Sequence, residues 1–138
     1  MRLEKNWGAW TLDYRPDFTA KETGLDIFIN WNKDFIGKES SLIEKKQGVK
    51  KKLVTMIIDT KDIDVTNDEA ILKDNKCIGY ITSGGYAHHV KKSMALGYVP
   101  EKFSKHETAL NVEINGKLYS AHVTDRPLYD ANGEKMRA

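Results

Sequence analysis

The stretch Leu110-Asn111-Val112-Glu113-Ile114-Asn115-Gly116-Lys117-Leu118-Tyr119-Ser120-Ala121 decides the fold class. Asn-Gly suits the two positive-φ positions of a tight hairpin turn, and alternating apolar and polar residues flank it on both sides. A two-residue loop pairs Ile114 with Lys117, Val112 with Tyr119 and Leu110 with Ala121. One mainly apolar face results, and Asn111 with Ser120 falls on the other. A second hairpin is expected where Ile71-Leu72-Lys73 and Lys76-Cys77-Ile78 flank Asp74-Asn75, with Cys77 opposite Leu72 as a small, half-buried apolar group. Upstream, Leu53 to Ile58 is apolar at five of six positions, which predicts a strand buried on both faces. Gly79–Ser83 and Ser93–Val99 read as further strands, the second stopped by Pro100 and followed by a longer connection around Glu101–Glu107. Five to seven short strands between residues 52 and 138 predict a small antiparallel β-barrel or sandwich.

The chain changes character at Gln47-Gly48-Val49-Lys50-Lys51-Lys52, a glycine followed by a basic run of the kind that connects unlike pieces over the surface. Residues 1–47 hold all three tryptophans (Trp7, Trp10 and Trp31) and three of the four phenylalanines. A piece this small seldom builds a sufficient core alone, so its aromatic surface calls for packing against something else. Within it, Asp26-Ile27-Phe28-Ile29-Asn30-Trp31 is β-branched and aromatic and reads as a strand. Lys38 to Gln47 reads as a short helix with one modest apolar edge, capped by Gly48 and too short to stand without tertiary support. The whole is α+β but mainly β: a barrel over residues 52–138 preceded by a strand and helix over residues 1–47.

Composition narrows function by exclusion. Within 138 residues, 40% are apolar and 30% charged, and 22 Lys and Arg against 20 Asp and Glu leave a net charge of +2. That is far short of the concentrated positive field of a nucleic-acid binder. One cysteine forms no internal disulfide, and four scattered histidines offer no zinc pattern, so no metal is expected. No apolar run reaches the ~18 residues of a membrane helix and no signal-type h-region follows Met1, so neither membrane nor nucleic acid is an expected partner. The expected setting is the cytoplasm or an organelle matrix.

Five places in the sequence are candidate sites. Thr82-Ser83-Gly84-Gly85-Tyr86 sets two glycines among hydroxyl-bearing residues, either to bring backbone close to a ligand or neighbouring domain or simply to make a hairpin turn. It lacks the spacing of a phosphate loop. Adjacent His88 and His89 point apart on a strand or a helix and are not placed to share a metal. Lys45-Lys46 and Lys50-Lys51-Lys52, without interleaved aromatics and beside Glu44, form a basic patch that either meets phosphate or an acidic tail or, as is usual for such a run, is a solvated linker. Cys77 has no base placed by sequence to activate it. Arg2-Leu3-Glu4 read as a strand sends Arg2 and Glu4 to one face, where Glu4 is either a buried acceptor for the N–H edge of a flat heterocycle or half of a surface ion pair.

Several segments in one order go further than any single site. Arg2-Leu3-Glu4-Lys5, Thr19-Ala20-Lys21-Glu22-Thr23-Gly24-Leu25, Asp34-Phe35-Ile36-Gly37-Lys38, Thr82-Ser83-Gly84-Gly85-Tyr86 and Lys92-Ser93-Met94-Ala95-Leu96-Gly97-Tyr98-Val99-Pro100, with the Arg126-Pro127-Leu128-Tyr129-Asp130 ending, resemble the C-terminal part of the glycine-cleavage T-protein (aminomethyltransferase) family. The likeness is strongest to the folate-binding half of dimethylglycine and sarcosine dehydrogenases. It implies that residues 1–47 are the tail of the central aminomethyltransferase domain and residues 52–138 the family's C-terminal β-barrel. It also implies a tetrahydrofolate ligand and transfer of a one-carbon unit onto it.

Carried over by motif, Glu4 is the pterin-binding carboxylate beside Arg2, with Ser83 and Tyr86 on the barrel surface that closes over the folate. Relatives commonly place a basic residue near Asn30, and Lys33 is the substitute for meeting the folate's negative tail. The family's catalytic Asp, most of its folate channel and the dehydrogenases' flavin domain lie outside this sequence, which has no GxGxxG fingerprint. No catalytic residue and no flavin are therefore expected on this chain, and Met1 corresponds to an internal position of relatives. The expected partner is the remainder of such an enzyme, in the same polypeptide or another subunit. The alternative is a free-standing, non-catalytic barrel module that dimerises or docks on a partner to cover its tryptophans.

Overall fold

The computed structural model describes all residues, Met1–Ala138. Six antiparallel strands form a closed barrel: β1 (Lys51–Ile58), β2 (Ala70–Lys73), β3 (Lys76–Ala87), β4 (Lys92–Pro100), β5 (Ala109–Ile114) and β6 (Lys117–Thr124). Around the barrel they run β1-β4-β3-β2-β5-β6, with β6 returning to pair with β1 from Thr55↔Thr124 to Ile58↔Ala121. The Asn115-Gly116 hairpin has the expected register, Leu110↔Ala121, Val112↔Tyr119 and Ile114↔Lys117. The Asp74-Asn75 hairpin sets Leu72 opposite Cys77.

Side-chain alternation fills the barrel. Val54, Met56 and Ile58 of β1, Ala95 and Val99 of β4, and Leu110, Val112 and Ile114 of β5 enter one apolar cluster with Ile71, Ile81, Ala121 and Val123. Ile71 points in, so Leu72 and its partner Cys77 lie on the outer face; Cys77 is exposed rather than half-buried. Ser93 to Val99 are all buried, although only alternate residues reach the core. The outward Leu96 and Tyr98, each 2% exposed, are covered by the N-terminal segment. Phe18 stacks on Tyr98 at 3.7 Å between ring centroids, and the Leu53 N–H donates to the Glu22 carbonyl at 2.8 Å.

That N-terminal segment contains α1 (Lys38–Gln47), closed by Gly48 at φ +83. The expected strand over residues 26–31 does not form. Leu25–Phe28 is instead a 3-10 turn, with the Leu25 and Asp26 N–H groups both donating to the Ala20 carbonyl. β-branched and aromatic residues make a strand only where another strand accepts their backbone, and none lies alongside: Ile27 and Phe28 are exposed.

Two other expectations are corrected in the same way. Leu3–Lys5 is a 3-10 turn closed by Asn6 at φ +52, so Arg2 and Glu4 diverge instead of sharing a strand face. Thr82–Tyr86 is the interior of β3, paired with β4 from Ser83↔Leu96 to Ala87↔Lys92, and not a turn. Its glycine serves close packing, since a Cβ on Gly84 would lie 2.7 Å from Val65 Cγ1. The basic run is also more than a solvated linker: Lys51 belongs to β1 and its Nζ lies 4.2 Å from the Phe18 ring centroid.

Candidate functional site

The seam between the N-terminal segment and the outer face of β3 and β4 gathers the buried polar groups. Asp13 is 0% exposed and is the centre of them. Its carboxylate accepts from the Ala9 N–H at 2.7 Å, from Ser83 Oγ at 2.7 and 2.9 Å, from Arg2 Nη1 at 3.1 Å and from Thr82 Oγ1. Arg2 Nη1 also donates to Ser83 Oγ at 3.1 Å, and Tyr98 Oη donates to the Asp13 carbonyl at 2.9 Å. A buried carboxylate is tolerated only when its lone pairs are filled in this way. The network thereby fixes residues 2, 9 and 13 against strands that lie some 70 residues later in the chain.

Glu4 stands on the same short turn but faces elsewhere. It is 2% exposed; its Oε1 accepts the His89 N–H at 2.8 Å, and the Met1 amino nitrogen lies 3.2 Å from its Oε2. Burial alone would raise the Glu4 carboxyl, but the N–H groups of His89 and Val90 and the Met1 amino group outweigh it and hold the carboxyl below its ordinary value. The Tyr129 N–H donates to the Glu4 carbonyl at 3.1 Å, and the Tyr129 ring meets the His89 ring edge-on at 4.0 Å. Lys5 reaches Asp130 at 3.5 Å. The C-terminal Tyr129-Asp130 pair and the β3–β4 turn thus enclose Glu4 from two sides.

A groove of about 430 Å³ runs beside this seam, with Trp7, Tyr14 and Phe28 from the N-terminal segment on one wall and Leu53 and Thr124 on the other. Trp7 packs edge-on against both Tyr14 and Phe28, at 6.0 Å in each case. The Oδ1 of Asn6, also in the groove, is buried without a hydrogen-bond partner. Trp10 is 79% exposed and Phe28 65%. Trp31 is half-buried, beside Phe35 and under Lys45, whose Nζ is 4.4 Å from the ring centroid.

Of the residues expected from sequence, the fold brings Arg2 and Ser83 together through Asp13 and sets Glu4 one residue beyond Leu3 on the same turn. Tyr86 is exposed at the end of the barrel, edge-on to His88 at 5.0 Å, and Lys33 is exposed in the loop after Leu25–Phe28. Neither touches Glu4. No group of three or more His, Cys, Asp or Glu is placed to hold a metal ion, and no helix is long and apolar enough to cross a membrane. Asp13, the His89 and Val90 N–H groups and Tyr129 were missed as parts of the seam. Asp13 has no local mark that separates it from Asp17; the adjacent hydroxyls of Thr82-Ser83 in an otherwise apolar stretch are the one sequence signal that calls for a polar partner.

Comparison with known proteins extends over both pieces of the chain. The sequence model of the glycine cleavage T-protein C-terminal barrel domain matches residues 51–130. Mitochondrial dimethylglycine dehydrogenase of Homo sapiens is 38% identical over 130 residues, which is 93% of this chain and 15% of that protein. An aminomethyltransferase of Picosynechococcus sp. is 36% identical over 134 residues, 96% of this chain and 37% of the relative. The crystal structure of glycine cleavage system aminomethyltransferase T from Bartonella henselae superimposes with a TM-score of 0.87 at 24% identity, over 94% of this chain and 37% of that one, and shares its fold. The chain therefore spans well under half the length of each of these relatives.

Proposed function

Because the chain belongs to the glycine cleavage T-protein C-terminal barrel family, we propose that it is the C-terminal part of a tetrahydrofolate-binding, aminomethyltransferase-like protein. In this reading residues 1–47 are the tail of the central folate-binding domain and residues 52–138 the barrel that closes against it. The whole protein moves a one-carbon unit from an aminomethyl group to tetrahydrofolate, in the manner of a dimethylglycine or sarcosine dehydrogenase or an aminomethyltransferase. This segment helps to bind the folate and leaves the chemistry to the rest.

The observation that carries the reading is Glu4: a buried, ionised carboxylate held at the seam by the His89 N–H on one oxygen. A carboxylate has two oxygens and about four acceptor sites. Its Oε2 lies against Met1, which is 91% exposed, so this oxygen is the acceptor on offer to the amino and ring N–H donors of a pterin. The residues present fit the ligand in that respect. Arg2 and Ser83 act through Asp13 as positioning residues for the turn that bears Glu4. Lys33, exposed beyond Leu25–Phe28, is the cation on offer to the folate's negative tail, and Tyr86 faces the barrel end instead. Trp10 and Phe28 mark the face that the remainder of the protein covers.

The test is tetrahydrofolate binding by a complete relative carrying alanine at the position aligned with Glu4, measured by calorimetry. Loss of a charge-assisted pair of hydrogen bonds should weaken binding by about tenfold or more. Unchanged affinity removes Glu4 from the site.

A further inference from the structure

The barrel has a second feature that the Glu4 site does not use. Where β1 runs out at Ile58 and β4 begins at Lys92, the end of the barrel opens on a cavity of about 710 Å³. Register sets Ile58 opposite both Ser93 and Ala121, and Tyr86 opposite Ser93. Ser93 alternates with Ala95 and Val99, so its side chain belongs to the inward face at the mouth. It is 3% exposed, and its Oγ has no hydrogen-bond partner. A hydroxyl buried without a partner is unfavourable and uncommon, so it calls for another molecule to complete it.

The charge around the mouth says which kind. Lys61, Lys91, Lys92 and His122 line the cavity against one carboxylate, Asp59. None of the three lysines takes part in a salt bridge. Lys91 is moreover held at φ +54, a conformation in which glycine or asparagine sits more easily. Ile57, Ile58, Ala109 and Ala121 supply the apolar part of the wall, and the Tyr86 ring stands 42% exposed at the rim. The volume lies within the usual range of small-molecule sites, which set apolar surface beside convergent polar groups.

We propose that this end of the barrel binds a small organic anion. Ser93 Oγ donates to a carboxylate or phosphate oxygen, Lys61, Lys91 and Lys92 supply the opposing charge, and Tyr86 covers an apolar or aromatic body. The β3–β4 turn divides this site from the seam: its His89 and Val90 N–H groups serve Glu4, and Lys91 and Lys92 line the cavity. The inference therefore stands whether or not folate binds at Glu4.

Amide NMR titration of the whole chain with benzoate and with phenyl phosphate tests it, with acetate, inorganic phosphate and phenol as controls. Saturable shifts confined to residues 58–61, 86, 91–93 and 120–122 are expected. The tighter of the two aromatic anions identifies the headgroup, and each should bind about tenfold more tightly than its bodiless or neutral control. Ser93→Ala should weaken binding by about tenfold with the rest of the spectrum unchanged, and Lys91→Ala with Lys92→Ala should remove the salt-sensitive part. If Ser93→Ala does not fold, Tyr86→Ala and Lys61→Ala, both at the surface, carry the same expectation. Shifts that never saturate or that scatter over lysines elsewhere overturn the proposal. So does phenol binding as tightly as benzoate, or a folded Ser93→Ala chain that binds like the parent.

Discussion

Replacing Asp13 by alanine should cost far more than removing any one of its partners. The carboxylate is 0% exposed and takes hydrogen bonds from Ala9, Ser83, Arg2 and Thr82. Once it is gone, Thr82 Oγ1 still has the Leu96 carbonyl at 3.2 Å, and the Arg2 side chain, 37% exposed, turns to water. Ser83 Oγ has no such refuge, and the Ala9 N–H, on a half-buried residue, has only partial access to water. At about 1–3 kcal/mol for each orphaned buried donor the loss is bounded at ~2–6 kcal/mol, in line with the ~3–5 kcal/mol of a broken buried charge pair. Because one end of this pair is open to solvent, the lower part of that range, ~3 kcal/mol, is the expected value. Asp13→Asn keeps the shape but turns an amide donor toward other donors, for about 2 kcal/mol; Arg2→Ala should cost ~1 kcal/mol or less. Urea unfolding followed by tryptophan fluorescence measures the order. Amide exchange locates the damage, which should accelerate residues 1–30 while the barrel amides stay protected. An Asp13→Ala loss below ~1 kcal/mol, or an Arg2→Ala loss equal to it, refutes the claim that Asp13 joins the two pieces.

Three further outcomes are expected. Glu4 is depressed in the folded chain, so its contribution to stability is complete above the ordinary carboxyl value of 4.5 and disappears as pH falls through the lower folded value; the melting temperature should fall more steeply in acid for the parent than for Glu4→Gln, and parallel curves would contradict this. Burial, then the carboxylates of Glu22 and Asp13, push the Tyr98 phenol well above its ordinary 10.0. Stability from Tyr98 is thus present below that value and lost as pH rises toward the folded one, and its tyrosinate absorbance should appear only as the chain unfolds, a step missing in Tyr98→Phe. A Cβ on Gly79 would lie 1.8 Å from the Tyr98 carbonyl oxygen, so Gly79→Ala must part β3 from β4 and exceed the ~1–3 kcal/mol of ordinary overpacking. Gly116→Ala, at φ +75 with open space around it, should cost only about 1 kcal/mol, and equal losses would show that the close approach is not what matters.

What could be read from sequence is what neighbouring residues decide between themselves. The Asn115-Gly116 register and the Lys38–Gln47 helix depend on turn chemistry, alternation and a capping glycine, and the structure has both. Residues 26–31 have strand composition but no strand beside them, and only tertiary structure supplies or withholds that partner. Gly84 and Gly85 look like a turn because turns and tight packing require the same residue. For Gly84 the difference lies in Val65, which is distant in sequence and close in space. The site divides in the same way. Glu4 was found through a motif and Arg2 and Ser83 came with it, whereas Asp13 gains its role from Thr82 and Ser83, which no local pattern connects to it. Tyr129 was part of a recognised ending, but its place beside Glu4 is visible only after the chain has closed on itself.

That closure limits how the chain can meet anything else. With β6 hydrogen-bonded to β1, every strand of the barrel has two neighbours, so none is left with a wholly free edge. Association by strand addition along a full strand is thereby disfavoured in the folded barrel. Docking then falls mainly to side chains, and the large apolar ones at the surface are concentrated in residues 1–43, with Ile36, Trp10, Ile27 and Phe28 among the most exposed. Such a contact forms and releases without unzipping a sheet, so the barrel keeps its own hydrogen bonds whether or not that face is covered.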